Sequence, residues 1–443
     1  MPATTSNPPS AAQAGPPSIL ADPSFLTSLV IAVVVALGFG LVVPVLPLFA
    51  EDFGVGVFAI TGVVSVFAGV RLVSNLYAGS LADRIGARRA VAYGALVVGV
   101  SSLLTGLAPG YWWLLIFRGA GGFGSALFFT ALLALVVGHV GAHERARAVG
   151  LLQGAFLFGL TVGPFAGGVL AEPLGLRGPF FVYAATCLAA GMVALGFLPR
   201  PAVAPAVSAA PAAALVGPEG EPGAVPAAAV GGRTGLGVTL RAARRLCGDP
   251  AFVAALVMMA ASRWSATGVR FSLVPLFASD VVGLGDAAVG YAVGIAAVAQ
   301  LLVLWPVGRA SDLVGRRAVG VPAYAAFGVV AALVGVATTP VAFFVVMVLY
   351  GAATGLTSVT PPAVVADVVP PQDTGVGIGV LNTAGDLGSV LGPLASGLLV
   401  DLAGYDWGFG AAAALLFVAA VVAARMRETL PRAANVTAAA TER

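Results

Sequence analysis

Residues 79–89, GSLADRIGARR, return 229 positions later as residues 308–317, GRASDLVGRR. In both copies a Gly leads, an Asp follows four positions on, a second Gly comes three after that, and an Arg pair closes the string. The same offset carries Gly163-Pro164 onto Gly392-Pro393, Gln153 onto Asn382 and Glu172 onto Asp401. Offsets one or two residues smaller carry Asp22-Pro23 onto Asp249-Pro250 and Pro47-Leu48-Phe49-Ala50 onto Pro275-Leu276-Phe277-Ala278. A near-constant offset over so many elements implies two structurally equivalent halves. In a chain this apolar, such duplication suggests two helical bundles that rock against each other around a central site.

The chain is 59% apolar and 9% charged, with a mean hydropathy of +1.01. A soluble core of this length has no use for so much apolar surface. Crossing a ~30 Å hydrocarbon layer takes about 20 residues of helix. Twelve such runs are present, near 26–48, 58–80, 90–108, 112–137, 147–171, 178–198, 251–277, 287–308, 319–337, 341–366, 375–400 and 407–425. No strands of alternating polarity appear, which excludes a barrel. The expected fold is therefore an all-α membrane protein of twelve transmembrane helices in two pseudo-symmetric six-helix bundles, residues 25–198 and 250–426. Residues 1–24 read as a disordered tail, the Ala/Pro-rich stretch 199–249 as a linker, and 427–443 as a second tail. All 22 basic residues are Arg, and 17 of them fall on one side. Arg177 stands alone on the other, so both termini are expected in the cytoplasm of a plasma (inner) membrane protein. The net charge of +3 then reports topology, and no nucleic-acid partner is expected. No cleavable signal is read before the first run.

Asp22-Pro23 and Asp249-Pro250 are helix starts: Asp caps free amides, and Pro suits the first turn. In the 79–89 string, Gly79 permits close approach and Gly86 a tight turn. Arg84 and Arg88 lie where topology places basic residues. Asp83 is harder to explain by topology alone, and is expected to sit against the positive N-terminus of a neighbouring helix. Asp312 is its copy. The fifth run contains GLTVGPFAGG, in which Gly159, Gly163, Pro164, Gly167 and Gly168 make a smooth, bent face for close helix contact. Gly392 and Pro393 repeat part of it in the eleventh.

At this point the chain resembles the Major Facilitator Superfamily, whose signature loop between its second and third helices has the 79–89 pattern, apart from Ala87 where a basic residue is usual. LGFGLVVPVLP (37–47) and the fifth-run string resemble motifs of its twelve-helix drug:proton antiporter branch. Asp83 placed against a helix N-terminus would latch one conformation, and the resemblance implies a proton-transfer role for Arg118 in LLIFRGAGGFGSA. Gly121 stands where that motif often has Gln, so gating or structure is the competing role for Arg118.

Charges inside the spans are costly and point to function. Arg71 lies in the second run. Arg263 and Arg270 lie in the seventh, seven apart and so on one face about 10 Å from each other. Asp386 lies well inside the eleventh run, near mid-membrane, at a depth comparable to Arg71. Asp386 is the expected proton carrier, pairing with Arg71 when ionised; a permanent structural ion pair is the competing reading. Asn75, Gln153, Trp264, Gln300, Trp305 and Asn382, with Arg263 and Arg270, are candidates for lining a substrate cavity. His139, His143 and Glu144 read as a solvated loop rather than a metal clip.

With no Lys there is no phosphate-binding loop for ATP. The expected function is export of a hydrophobic or amphiphilic small molecule in exchange for protons, by alternating access, with no cofactor beyond the proton gradient. A monomer in the lipid bilayer suffices. The alternatives are a proton-coupled symporter or uniporter importing a metabolite, and a non-transporting receptor, for which 199–249 supplies no folded sensory domain. An intramembrane enzyme would need a nucleophile–base cluster at depth, and none is evident.

Overall fold

The computed structural model describes residues 22–141, 144–199 and 236–430. The first tail up to residue 21, most of the linker, His143 and the last 13 residues of the second tail lie outside the described residues. Among the described residues twelve helices are long and apolar enough to cross a membrane: α1 (Pro23–Glu51), α2 (Val57–Ile85), α3 (Ala87–Gly106), α4 (Tyr111–His139), α5 (Arg145–Leu174), α6 (Gly178–Phe197), α7 (Pro250–Asp280), α8 (Asp286–Val314), α9 (Arg316–Val336), α10 (Pro340–Val368), α11 (Pro371–Ala403) and α12 (Tyr405–Arg425). A short helix, Leu236–Leu246, precedes α7 and packs against α11.

The two helix starts behave as their sequence requires. Asp22 accepts from Ser24 N at 2.8 Å and Asp249 from Ala251 N at 2.8 Å, each with Pro in the first turn. The 79–89 string is not a loop. Helix α2 runs to Ile85 and α3 starts at Ala87, so Gly86 alone makes the turn, at φ +87°. Its copy does the same with Gly315 at φ +120°, a conformation that strains any residue with a Cβ.

The glycine faces position the helices around the centre. A Cβ on Gly163 would meet Gly40 Cα at 2.5 Å, and one on Gly167 would meet Leu41 O at 2.1 Å, so α5 lies directly on α1. In the second half Gly388 faces Ala260 O at 2.3 Å and Gly392 faces Trp264 Cα at 2.9 Å, so α11 lies likewise on α7. Gly168 and its copy Gly397 point instead to the opposite half: Gly168 onto the backbone of Asp286, Ala287 and Gly290 in α8, Gly397 onto Thr61, Val57 and Phe58 in α2. Helices α2, α5, α8 and α11 thus form the seam between the halves.

That seam is closed at one end. Asp401, at the end of α11, accepts from Val57 N at 2.8 Å and Phe58 N at 2.9 Å in the first turn of α2. Deeper in, Ser65 Oγ donates to Val390 O at 2.8 Å. This is the acidic end, where Glu51, Asp52, Glu172, Asp280, Asp286 and Asp401 lie. At the other, basic end a Cβ on Gly150 or Gly154 of α5, Gly308 of α8 or Gly375 of α11 would meet nothing within 4 Å. The seam helices are therefore packed at the acidic end and separated at the basic end.

The closure is asymmetric. By the repeat, Glu172 corresponds to Asp401 and ought to cap α8 as Asp401 caps α2. Among the described residues Glu172 makes no such bond, because Asp286 occupies the first turn of α8 within electrostatic reach of it, and the like charges repel. Closure thus leans on Asp401. Two exposed, charge-assisted bonds between halves are worth roughly 1 kcal/mol after solvent screening. Asp401→Ala is expected to raise thiol labelling of a reporter Ser65→Cys about fivefold; labelling that does not change refutes the latch.

Candidate functional site

Polar chemistry at depth concentrates on the seam helices and on α4 and α7. Every acidic residue in the spans lies within two residues of a span end except Asp386. Asp386 is half-buried on α11 and lies within electrostatic reach of Arg71, on α2 of the other half, and of Arg263 on α7. None of the ion pairs within 4.0 Å among the described residues includes Asp386. The three charges lie within electrostatic reach of one another across the seam, just basic-ward of the Ser65–Val390 bond.

Arg71 borders a crevice in the first half lined by Phe39, Phe67, Phe129, Phe156 and Tyr183. Its guanidinium carbon stands 5.9 Å from the Phe129 ring centre. Arg118, 4% exposed, sits beneath the same aromatics, 4.6 Å from the Phe67 ring and 5.8 Å from Phe39. Cation–π contact of this kind is worth more as water is excluded. Its Nε has no hydrogen-bond partner. The aromatic cage was not anticipated; the spacing of Phe39 and Phe67 carries no signal distinguishing it from ordinary lipid-facing Phe.

Arg263 and Arg270 do not share a face. Residues Ser265–Leu273 form a π-helical segment, in which Ser272 Oγ donates to Thr267 O at 2.7 Å, five residues back. Wider turns rotate the chain less per residue and spoil the seven-residue register. Arg270, 2% exposed, turns to α8, where Nη1 donates to Gln300 Oε1 at 2.8 Å. Arg263, 9% exposed, enters a crevice of the second half with Ser262, Thr354, Thr357 and Ser358.

The remaining candidates divide. Gln153 on α5 is 4% exposed and neither amide atom has a partner. Asn382 Nδ2 donates to Ile378 O of its own helix at 3.0 Å, and Asn75 is half-buried on α2. Trp264 is a packing residue: Nε1 donates to Ser396 Oγ at 3.0 Å and the ring lies on Gly392. Trp305 is 75% exposed, with the Arg309 guanidinium carbon 6.0 Å from its ring. Among the described residues no group of three or more metal-ligating side chains forms.

The basic end redistributes the expected roles. Asp83 and Arg84 are exposed, Gly79 and Arg88 half-buried, and no hydrogen bond joins Asp83 to a neighbouring helix terminus among the described residues. That role belongs to Glu428, beyond α12, which accepts from Arg316 N at 2.7 Å and Arg317 N at 3.1 Å at the start of α9. Asp312 meets Arg316 at 2.5 Å, and Arg316 also meets Asp367 at 3.0 Å. Asp373 pairs with Arg245 of the short helix, tying it to the start of α11. Partial burial pushes the Glu428 carboxyl up, but the N–H groups of Leu430, Arg316, Arg317 and Thr429 outweigh it and hold it below the usual glutamate value. A depressed carboxyl contributes stability that is complete above its unfolded value and is lost as pH falls through its folded value. Glu428→Gln is expected to lower the melting temperature at pH 7, with the gap to wild type narrowing as pH drops below about 4. A gap constant from pH 7 to pH 3 refutes the cap.

Two pseudo-symmetric six-helix halves, packed at one end and open at the other around charges buried at mid-depth, define a membrane transporter rather than an enzyme. The chain belongs to the Major Facilitator Superfamily, whose family model matches residues 28–297 and again 257–442. It is 32% identical over 162 residues to multidrug resistance protein 2 of Bacillus subtilis (strain 168), covering 37% of this chain and 40% of that protein. It is 33% identical over 176 residues to multidrug resistance protein 1 of the same organism, covering 40% of this chain and 44% of that one. The match thus spans less than half the length of these curated relatives. Among solved structures it is similar to a bacterial homologue of the human lysosomal transporter Spinster in an inward-facing, unoccupied conformation. The TM-score is 0.70 at 16% identity, over 90% of this chain and 95% of that one.

Proposed function

We propose that the protein exports hydrophobic or amphiphilic small molecules in exchange for protons by alternating access. The observation that carries this reading is Asp386: the one acidic group deep in the spans stands on a seam helix, with Arg71 of the other half in electrostatic reach. A carboxylate beside a guanidinium sheds its proton, and one moved away into apolar surroundings takes it up. Rocking of the halves changes that distance, which couples protonation to access. The crevice around Phe39, Phe67 and Phe129 is apolar in lining, and the multidrug resistance relatives support efflux. In this reading the basic end faces the cytoplasm of a plasma membrane, both termini are cytoplasmic, and a monomer is the working unit.

The test is inverted vesicles holding an acid-inside gradient, with cationic, neutral and anionic amphiphiles added in turn. Collapse of the gradient on adding a compound, absent from vesicles without the protein, is the expected result. No collapse with any compound, alongside uptake of one of them that ignores the gradient, refutes proton exchange.

A further inference from the structure

We infer that the site takes amphiphiles bearing an anionic group, a carboxylate, sulfonate or phosphate monoester, with Arg263 as its principal contact. This deepens the efflux reading by naming the substrate class and rests on it. The charges at depth do not balance. Arg71, Arg118, Arg263 and Arg270 all lie seven or more residues inside their spans, and Asp386 is their single acidic counterpart. A guanidinium withdrawn from water needs an acceptor or an anion to offset its desolvation.

Arg270 and Arg118 find partners nearby. Arg270 donates to Gln300 and lies 5.2 Å from the Phe271 ring, and Arg118 rests in its aromatic cage. Arg263 is different. It is more than nine-tenths buried, and its Nη1 has no hydrogen-bond acceptor. The Nε atoms of Arg118 and Arg270 lack an acceptor too, but Arg263 alone of the three has neither a side-chain hydrogen bond nor a ring contact among the described residues. It opens into a crevice whose other polar atoms are the hydroxyls of Ser262, Thr354, Thr357 and Ser358. Three of those hydroxyls are committed to backbone carbonyls of their own helix, at 2.8–3.1 Å, and Ser262 to the Tyr324 hydroxyl at 2.8 Å. They leave the crevice polar without adding any negative charge.

Arg71 faces Arg263 across the seam, and the two like charges act on each other. An anion between them would relieve that repulsion, whereas a cation would add to it. Beside Arg71, Phe39, Phe67, Phe129 and Phe156 line an apolar crevice of about 10 Å³, so these rings must part to seat the rest of the molecule. The unpartnered amide of Gln153, also more than nine-tenths buried, adds a neutral donor and acceptor on the first half. The arrangement is a charged anchor on one half and a narrow aromatic crevice on the other.

The test uses three probes with one aromatic body: naphthalene-2-sulfonate, 2-naphthol and naphthalen-2-ylmethylammonium. Affinity is read by thermal shift of the full-length protein and by exchange in proteoliposomes, made either of phosphatidylcholine alone or with phosphatidylglycerol. The sulfonate is expected to bind at least tenfold tighter than the ammonium. Arg263→Gln is expected to weaken the sulfonate about tenfold while 2-naphthol is unchanged, and Arg263→Lys to restore most of the loss. Weaker sulfonate binding in phosphatidylglycerol than in phosphatidylcholine identifies a lipid headgroup as a competitor for the same anion site; equal binding assigns the site to soluble anions. Binding of the ammonium as tight as the sulfonate, or an unchanged sulfonate-to-naphthol ratio in Arg263→Gln, overturns the assignment. Proton-coupled movement of the ammonium would do so while leaving efflux intact. Sulfonate binding without gradient collapse would sink the efflux reading and leave the anion site standing.

Discussion

In Asp386→Asn, substrate-driven collapse of a proton gradient falls to the level of protein-free vesicles, while sulfonate binding persists and tightens. The two effects have opposite signs because Asp386 has two consequences in the structure. It is the one acidic residue far from a span end, and it faces Arg71 and Arg263 together. Asparagine has nothing to titrate, so the rocking of the halves no longer moves a proton. The same substitution removes the single negative charge among four guanidiniums, which makes the site more attractive to an anion. A structural ion pair would predict something else: loss of folded protein, because breaking a buried pair strands a charge. Binding and coupling measured on the same purified sample separate the two. Intact coupling in Asp386→Asn removes Asp386 from the proton path.

Gly168→Leu is expected to fold, to lose most of its transport, and to expose the acidic end. A Cβ at this position would lie 2.9 Å from Asp286 O, Ala287 O and Gly290 Cα, all backbone of the opposite half. Backbone cannot step aside as a side chain can, so the halves must part where they now touch. Overpacking of this kind costs roughly 1–3 kcal/mol, about a 5- to 150-fold change in the ratio of closed to open states. Reporter Ser65→Cys, with Cys247→Ser to remove the exposed native thiol, reads that change by labelling rate. Gly167→Leu is the control. Its Cβ would strike Leu41 O at 2.1 Å within one half, so folding and not access is what fails. Normal transport in Gly168→Leu would refute closure at this contact.

The two kinds of outcome follow how information is stored in the chain. Twelve spans, two equivalent halves, the Asp22 and Asp249 caps and the glycine faces of α5 and α11 were legible because each depends on a local period or on a repeat. Gly163 resting on Gly40, and Gly392 on Trp264, follow once two smooth faces exist. Asp386 and Arg71 could be singled out beforehand because a charge in an apolar run stands out.

What the sequence determined by itself is thus the membrane-spanning pattern, its duplication and the short roster of charges at depth. Tertiary structure decided which of those charges meet. A nine-residue π-helical segment altered the angle per residue and sent Arg263 and Arg270 to different neighbours. The helix-terminus role read for Asp83 went to Asp401, which caps residues 343 and 344 positions away, and to Glu428, which caps residues 111 and 112 positions away. Carboxylates are numerous and every helix start offers the same free amides. Which carboxylate reaches which start depends on how whole helices pack, and no local pattern in the chain records that.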